Sequence, residues 1–143
     1  MKLHEKDLEI AEALRAGESV ESISNRLGLP KSTVYYHVGK MKKAGAIKGF
    51  KVSLDYETTK DYQSAFILIA LNGTNSKDIN EFIDSIRKEK TVSDIYSVSG
   101  EWDFIFRVNG TKEEVTDFLS RRLQTMSFVK KTYSMFLLKH FEN

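Results

Sequence analysis

The strongest constraint on the fold comes from the run Ala65 to Leu71, in which every side chain is apolar. A strand with one face in water alternates apolar and polar side chains, whereas this run is apolar at both parities. It is also far shorter than the roughly 20 residues that a helix needs to cross a bilayer. We therefore predict a strand that is buried on both faces inside a packed α+β domain.

The residues around this run predict an alternation of strands and helices over 64–143. The predicted elements are a strand Ser64 to Asn72, a helix Lys77 to Lys88, strands Val92 to Ser99 and Trp102 to Asn109 joined by a tight hairpin at Gly100 and Glu101, a helix from the cap Thr111 to Leu123, and a strand Phe128 to His140. This βαββαβ order is the ferredoxin-like split motif. Two helices cover only one face of such a sheet, so we expect the other face to meet a second copy of the chain.

The first part of the chain has the apolar spacing of three short helices. They are predicted at Leu3 to Gly17, Val20 to Leu27 and Lys31 to Ala44, with a glycine turn between the second and third. This arrangement predicts a helix-turn-helix. The apolar residues that follow predict an extended segment with a glycine kink, a candidate wing: Ile47, Phe50, Val52 and Leu54. We divide the chain into a winged helix-turn-helix domain at 1–54, a linker at 55–63 and the βαββαβ domain at 64–143.

The charge is unevenly distributed, although the net charge is only +2. Between Ser22 and Leu54 the chain carries several lysines and one arginine but no acidic residue. A solvated basic surface usually has acids interspersed, so this stretch favours a polyanionic partner. Double-stranded DNA is the expected partner of a basic helix-turn-helix.

The third predicted helix has one apolar side, formed by Val34, Val38 and Met41, and one polar side. Hydroxyl and planar groups near its beginning suit base edges in a major groove, and cations suit phosphates. The predicted DNA-binding residues are Lys31, Ser32, Thr33, Tyr35, Tyr36, Lys40, Lys43, Lys48 and Lys51. For His37, we expect a structural role or a phosphate contact rather than metal binding.

The chain lacks the residues that metal binding and cysteine chemistry require. The chain has no cysteine and only three histidines, His4, His37 and His140, with no ligand set around them. We expect no metal, no cofactor and no catalytic site. The N-terminus has no apolar signal region, so we expect a soluble protein of the cytoplasm.

Short motifs in both halves resemble the Lrp/AsnC, or feast/famine, transcription regulators. In the first half these are Asp7–Ile10, Leu27–Leu29, Ser32–Val34 and Gly45–Phe50, and in the second half Val98–Phe104. The resemblance covers nearly the whole chain. Two features depart from the family pattern. Pro30 and Lys31 stand where many members have a serine followed by proline, and tyrosines stand in the third helix where arginines are common.

The resemblance implies a sequence-specific regulator that forms homodimers, or assemblies of dimers, through its C-terminal RAM (ACT-like) domain. It also implies that an amino acid or related small molecule binds near the hairpin, where we place Ser99, Gly100, Glu101, Trp102 and Asp103. Asp103 has two interpretations, a ligand for the effector's ammonium group or a carboxylate bonded to nearby backbone amides. Gly100 suits a positive φ in either case.

Two other functions use the same features. The fold implied by the resemblance is similar to that of siroheme decarboxylase subunits, but the three histidines and the lone central arginine, Arg107, form no recognisable acid–base pair. An architectural DNA-binding protein of low sequence specificity would also use the basic stretch. The ratio of specific to non-specific affinity separates that alternative from a regulator.

Overall fold

The computed structural model describes residues 2–54, 58, 61–73 and 75–141, and divides into two compact units, Met1–Ser53 and Leu54–Asn143. Each unit has its own hydrophobic core. Residues 55–57 and 59–60 of the predicted linker lie outside the described residues. The first strand of the second unit already begins at Tyr62, inside the range predicted as linker.

The N-terminal unit contains the three predicted helices, α1 at Glu5–Arg15, α2 at Val20–Leu27 and α3 at Lys31–Lys43. The helix-turn-helix prediction is confirmed, with small shifts at the helix ends. Ser19 begins α2 because its side chain accepts a hydrogen bond from the Ser22 amide at 3.1 Å. Gly28 ends α2 with a left-handed φ of 64°, which a glycine adopts without strain. The buried apolar side chains of this unit are Ile10, Ala13, Ile23, Val34, Val38 and Met41.

The predicted wing does not form a β-sheet. Residues 47–54 contain no strand, and Val52 is 83% exposed. Phe50 is also exposed, and the Lys42 Nζ lies 4.9 Å from the centre of its ring. The alternation of apolar residues suits a strand, but a strand requires a neighbouring strand with which to exchange backbone hydrogen bonds, and the four-stranded sheet of the described residues does not include this segment.

The C-terminal unit has the predicted βαββαβ order. Its elements are β1 at Tyr62–Leu71, α4 at Ser76–Arg87, β2 at Val92–Ser97, β3 at Phe104–Thr111, α5 at Lys112–Asp117 with a π-helical continuation Phe118–Leu123, and β4 at Val129–Phe136. The strands form one antiparallel sheet of four strands in the order β2-β3-β1-β4. The last strand is shorter than predicted, since it ends at Phe136 and not at His140.

The two faces of β1 differ. Ala65, Ile67 and Ile69 are fully buried, in one core cluster with side chains of the helices. Phe66 and Leu68 point the other way and are only half-buried. The prediction that both faces are buried is therefore true of one face within a single chain. The second face owes its partial burial to the side chains that flank it.

This second face, which we call the open sheet face, is formed by Phe66, Leu68, Ile105, Tyr133 and Met135. The strand registers place Phe66 opposite Met135, and Leu68 between Ile105 and Tyr133. Tyr133 is 56% exposed and Met135 is 43% exposed. The face is thus largely apolar and crosses three strands, with Arg107 of β3 opposite Phe66.

The predicted tight hairpin at Gly100 and Glu101 is wrong, because the connection is wider. The Val98 amide donates to the Asp103 carbonyl at 3.0 Å, and residues 99–102 form the loop between them. The Asp103 amide donates to the Ile69 carbonyl of β1 at 2.9 Å. This bond ties the end of the loop to β1, so Trp102 and Asp103 do not extend β3. Gly100 has a φ of 109°, as the loop requires.

Candidate DNA-binding helix and effector loop

The helix α3 has a buried side and an exposed side. Val34, Val38 and Met41 are buried, as predicted from their spacing. Tyr35 is 61% exposed and Tyr36 is 66% exposed, although both side chains are large and mostly apolar. Exposed aromatic side chains on one side of a helix are available to contact another molecule.

The other predicted DNA-binding residues surround these tyrosines in the N-terminal unit. Lys31 and Ser32 are exposed at the beginning of α3 and Thr33 is half-buried, while Lys43 is exposed at its end. Lys48 and Lys51 are exposed in the extended segment that follows. Lys31 forms a loose, solvent-exposed ion pair with Glu21, with Nζ and Oε1 3.8 Å apart. Within the part of the chain that the structure describes, no ion pair engages Lys43 or Lys48.

Arg26 differs from these lysines, because acids from outside the acid-free stretch partly neutralise it. Its Nη2 lies 2.8 Å from Oε2 of Glu18. The hydrogen bond to Arg26 lowers the pKa of the Glu18 carboxyl below its usual value. Among the described residues, Lys43 at the end of α3 and Lys48 beyond it keep their positive charge without an ion-pair partner.

A buried carboxylate joins α1 to α3. Asp7 is fully buried, and its Oδ1 lies 2.6 Å from Nδ1 of His37. Its Oδ2 lies 3.1 Å from Nζ of Lys40 and accepts a hydrogen bond of 3.1 Å from the His4 amide. These bonds, first of all the one from His37, lower the pKa of Asp7 from 3.8 to about 2, although burial acts in the opposite direction.

This cluster was missed in the sequence. Lys40 was predicted to contact phosphate, but its ammonium group is held by Asp7 and its side chain is only 29% exposed. One signal was present, because Asp7 lies one helical turn from both Leu3 and Ile10 and so falls on the apolar side of α1. An acid at such a position needs a partner within the protein.

The loop at residues 99–103, the candidate effector site, is held in place by a carboxylate bonded to the backbone. Oδ2 of Asp103 accepts a hydrogen bond of 2.7 Å from the Leu71 amide. This is the second of the two interpretations of Asp103, although the amide belongs to the end of β1 and not to the hairpin. The role of Asp103 as an effector ligand stays a prediction.

Two residues of β4 contact this loop, and neither was predicted. Nζ of Lys131 lies 2.6 Å from Oε1 of Glu101 and 4.8 Å from the centre of the Trp102 ring. The rings of Trp102 and Tyr133 are 6.3 Å apart. The hydrogen bond to Lys131 lowers the pKa of the Glu101 carboxyl below its usual value. The contact depends on the strand order, which brings β4 beside β1, and no local sequence signal indicates it.

No group of three or more histidine and acidic side chains among residues 2–54, 58, 61–73 and 75–141 is arranged to hold a metal ion. No described helix is long and apolar enough to cross a membrane.

A helix-turn-helix unit followed by a separate βαββαβ unit defines a class, the transcription regulators that combine a DNA-binding and a ligand-binding domain. Residues 3–49 match the model of a helix-turn-helix domain, and residues 64–143 match the model of the Lrp/AsnC ligand binding domain. The second match covers more than half of the chain. The chain belongs to the Lrp/AsnC family of transcriptional regulators.

Relatives and solved structures agree with this assignment. An HTH-type transcriptional regulator of Pyrococcus furiosus is 28% identical over 121 residues, which cover 84% of this chain and 81% of the relative. The regulator YugG of Bacillus subtilis is 26% identical, over 100% of this chain and 89% of its own length.

The same fold occurs in two solved regulators. Escherichia coli AsnC has a TM-score of 0.70 at 22% identity, over 98% of this chain and 95% of its own. A Neisseria meningitidis regulator, solved as a complex with L-Met, has a TM-score of 0.78 at 21% identity, over 99% of this chain and 94% of its own.

Proposed function

We propose that this regulator reads a specific DNA sequence with α3, acts as a homodimer and responds to an amino acid or related small molecule. The observation that carries the proposal is the exposed side of α3, where Tyr35 and Tyr36 lie in water. Among the described residues, Lys43 on this helix and Lys48 after it form no ion pair. Such a surface is unfavourable in a protein that binds nothing. It suits a groove lined with phosphates and base edges.

The roles divide along α3. Ser32, Thr33 and Tyr36 lie in its first half, which in a helix-turn-helix approaches the base edges. Lys43 and Lys48 lie beyond them and contact phosphates. Phosphate contacts contribute affinity that depends on salt but carry no sequence information.

The open sheet face is the proposed dimer interface. A monomer would leave Phe66, Leu68 and the residues around them partly in water, and a second copy would cover the apolar surface by two-fold symmetry. A dimer presents two copies of α3, so we expect the DNA site to contain two related half-sites. Because its partner is DNA, we place the protein in the cytoplasm.

The loop Ser99–Asp103 is the proposed effector site. The Neisseria meningitidis relative binds L-Met, and an amino acid is the class of effector that we propose for this chain. The carboxylate of Asp103 would accept the ammonium group of such a ligand, and the backbone amides near Gly100 would hold its carboxylate.

The division of roles along α3 predicts that two variants will behave differently. A duplex selected from a random pool by the wild-type protein serves as the specific site, and a scrambled duplex of equal length as the random one. Tyr36→Ala should lose about 1–3 kcal/mol on the specific duplex and far less on the random one, because a base contact is lost. Lys48→Ala should weaken both duplexes equally and reduce the log–log salt slope by about one.

Titrations at several salt concentrations give both quantities. If Tyr36→Ala weakens the two duplexes by the same factor, Tyr36 does not read bases. Wild-type binding that does not change with salt would contradict the phosphate contacts altogether.

The effector site is tested with Asp103→Asn. Asparagine keeps an oxygen that can accept the Leu71 amide but removes the negative charge, so the fold should persist while affinity for an ammonium group falls about tenfold or more. Asp103→Ala additionally leaves the Leu71 amide without its bond, and we expect it to melt at a lower temperature. Calorimetry with the twenty amino acids measures the binding.

An amino acid that binds wild type and Asp103→Asn equally would exclude Asp103 from the site. If none of the twenty binds the wild type, the proposed effector class is wrong.

A further inference from the structure

The two ring nitrogens of His37 are in different environments. Nδ1 is bonded to the buried Oδ1 of Asp7 at 2.6 Å. Nε2 has no hydrogen-bond partner within the described residues, and it is not one of their buried unpaired atoms, so solvent reaches it. The His37 side chain as a whole is 17% exposed. Solvent therefore reaches the ring on the side away from Asp7.

Asp7 decides which nitrogen carries the proton in the neutral ring. Its carboxylate accepts from Lys40 and from the His4 amide as well, and these bonds keep it ionised. An ionised carboxylate is an acceptor only, so Nδ1 must donate to it. In neutral His37, Nε2 is then a bare acceptor, which a phosphate oxygen repels. Only the protonated ring has an N–H group at Nε2.

His37 lies at the margin of the surface proposed to meet DNA. It follows Tyr36 directly, and the two rings are 5.8 Å apart in an edge-to-face arrangement. It also lies one helical turn beyond Thr33 on α3. A phosphate beside the groove that α3 enters would lie within reach of this margin.

We propose that His37 is a proton-dependent phosphate contact, with Asp7 as the positioning residue that fixes its tautomer, so that DNA affinity rises as the pH falls. The proposal rests on DNA binding through α3 as set out above. Protonation creates a donor at Nε2 and adds a positive charge at the margin of the surface, and both act on the same phosphate.

The groups around His37 carry both charges. The Asp7 carboxylate of α1 is bonded to its Nδ1, Lys40 of α3 pairs with the same carboxylate, and the Tyr36 ring meets the imidazole edge-to-face. The charged residues of α2 are paired with other groups: Glu21 pairs with Lys31, and Arg26 pairs with Glu18 and Glu9.

A bound phosphate adds negative charge that the free protein lacks, so the complex binds a proton more tightly than the free protein. By linkage, DNA affinity is then greatest at low pH, where His37 is protonated, and it falls as the pH rises.

The test is the dissociation constant of the wild-type protein on its selected duplex between pH 5.8 and 8.0 at constant ionic strength. One linked proton changes the affinity by at most about tenfold per pH unit, and we expect the affinity to weaken about fivefold or more across this range. Calorimetry of the same binding in two buffers of different ionisation enthalpy should show proton uptake on binding within this range.

Variants separate this effect from a purely structural role. His37→Gln should bind with the weaker affinity at every pH, and His37→Arg, which is always charged, should bind tightly at every pH. His140→Gln, in the other unit, should keep the wild-type pH profile. A wild-type affinity that is strong but independent of pH would overturn the proton-dependent contact and leave DNA binding by α3 intact, whereas absence of DNA binding at every pH would overturn both.

Discussion

Replacing Ile67 by aspartate is expected to prevent the C-terminal unit from folding. Ile67 is fully buried at the centre of β1, in the same core cluster as Phe82 and Phe106. An unpaired carboxylate in such a core costs several kcal/mol, and domains are stable by only roughly 5–15 kcal/mol. The near-ultraviolet circular dichroism of Trp102, the only tryptophan, reports the packing of this unit directly.

Ile67→Val is the matched control. It removes one methylene group without adding charge, and it should cost only about 0.5–1.5 kcal/mol in chemical denaturation. A folded Ile67→Asp protein that melts within a few degrees of wild type would show that the face of β1 under the helices is not the core of this unit.

Replacing the next residue, Leu68, by aspartate should have a different consequence. Leu68 lies on the open sheet face and is half-buried within one chain, so a charge at this position keeps contact with water in the monomer. In a two-fold dimer through this face, two such carboxylates would be buried close to each other. We expect Leu68→Asp to fold and to remain monomeric, with a dimer dissociation constant raised at least about a thousandfold, or roughly 4 kcal/mol.

Light scattering coupled to size-exclusion chromatography measures the oligomeric state at micromolar concentration. Leu68→Met is the volume-conserving control and should stay dimeric. A Leu68→Asp dimer as stable as the wild type would place the interface elsewhere. The two aspartates lie at adjacent residues of one strand, so the comparison also tests which face each residue occupies.

The elements of the fold were predictable because local signals specify them. Ser19 and Gly28 mark the ends of α2, and the apolar spacing of α3 places Val34 and Val38 inside. For β1, the double-sided apolar pattern predicts burial on both faces, and the presence of only two helices predicts that a second copy of the chain covers one of them. These patterns depend only on helix and strand periodicity, which a sequence displays directly.

The predictions that failed depend on contacts between distant residues. The tight hairpin at Gly100 does not form, because Asp103 is bonded to β1. The Ile69 carbonyl accepts a hydrogen bond from the Asp103 amide, and the Leu71 amide donates one to the Asp103 carboxylate. Likewise, periodicity placed Asp7 on the apolar side of α1, but only the packing of α1 against α3 shows that His37 and Lys40 are its partners.

The central claim is that α3 reads a specific DNA sequence. The most direct test compares affinity for the DNA upstream of the protein's own gene with affinity for random DNA of equal length, at the same physiological salt concentration. We expect a ratio of about a thousand or more, the usual margin of a specific regulator over non-specific binding. A ratio near one would contradict the claim and would instead fit an architectural DNA-binding protein.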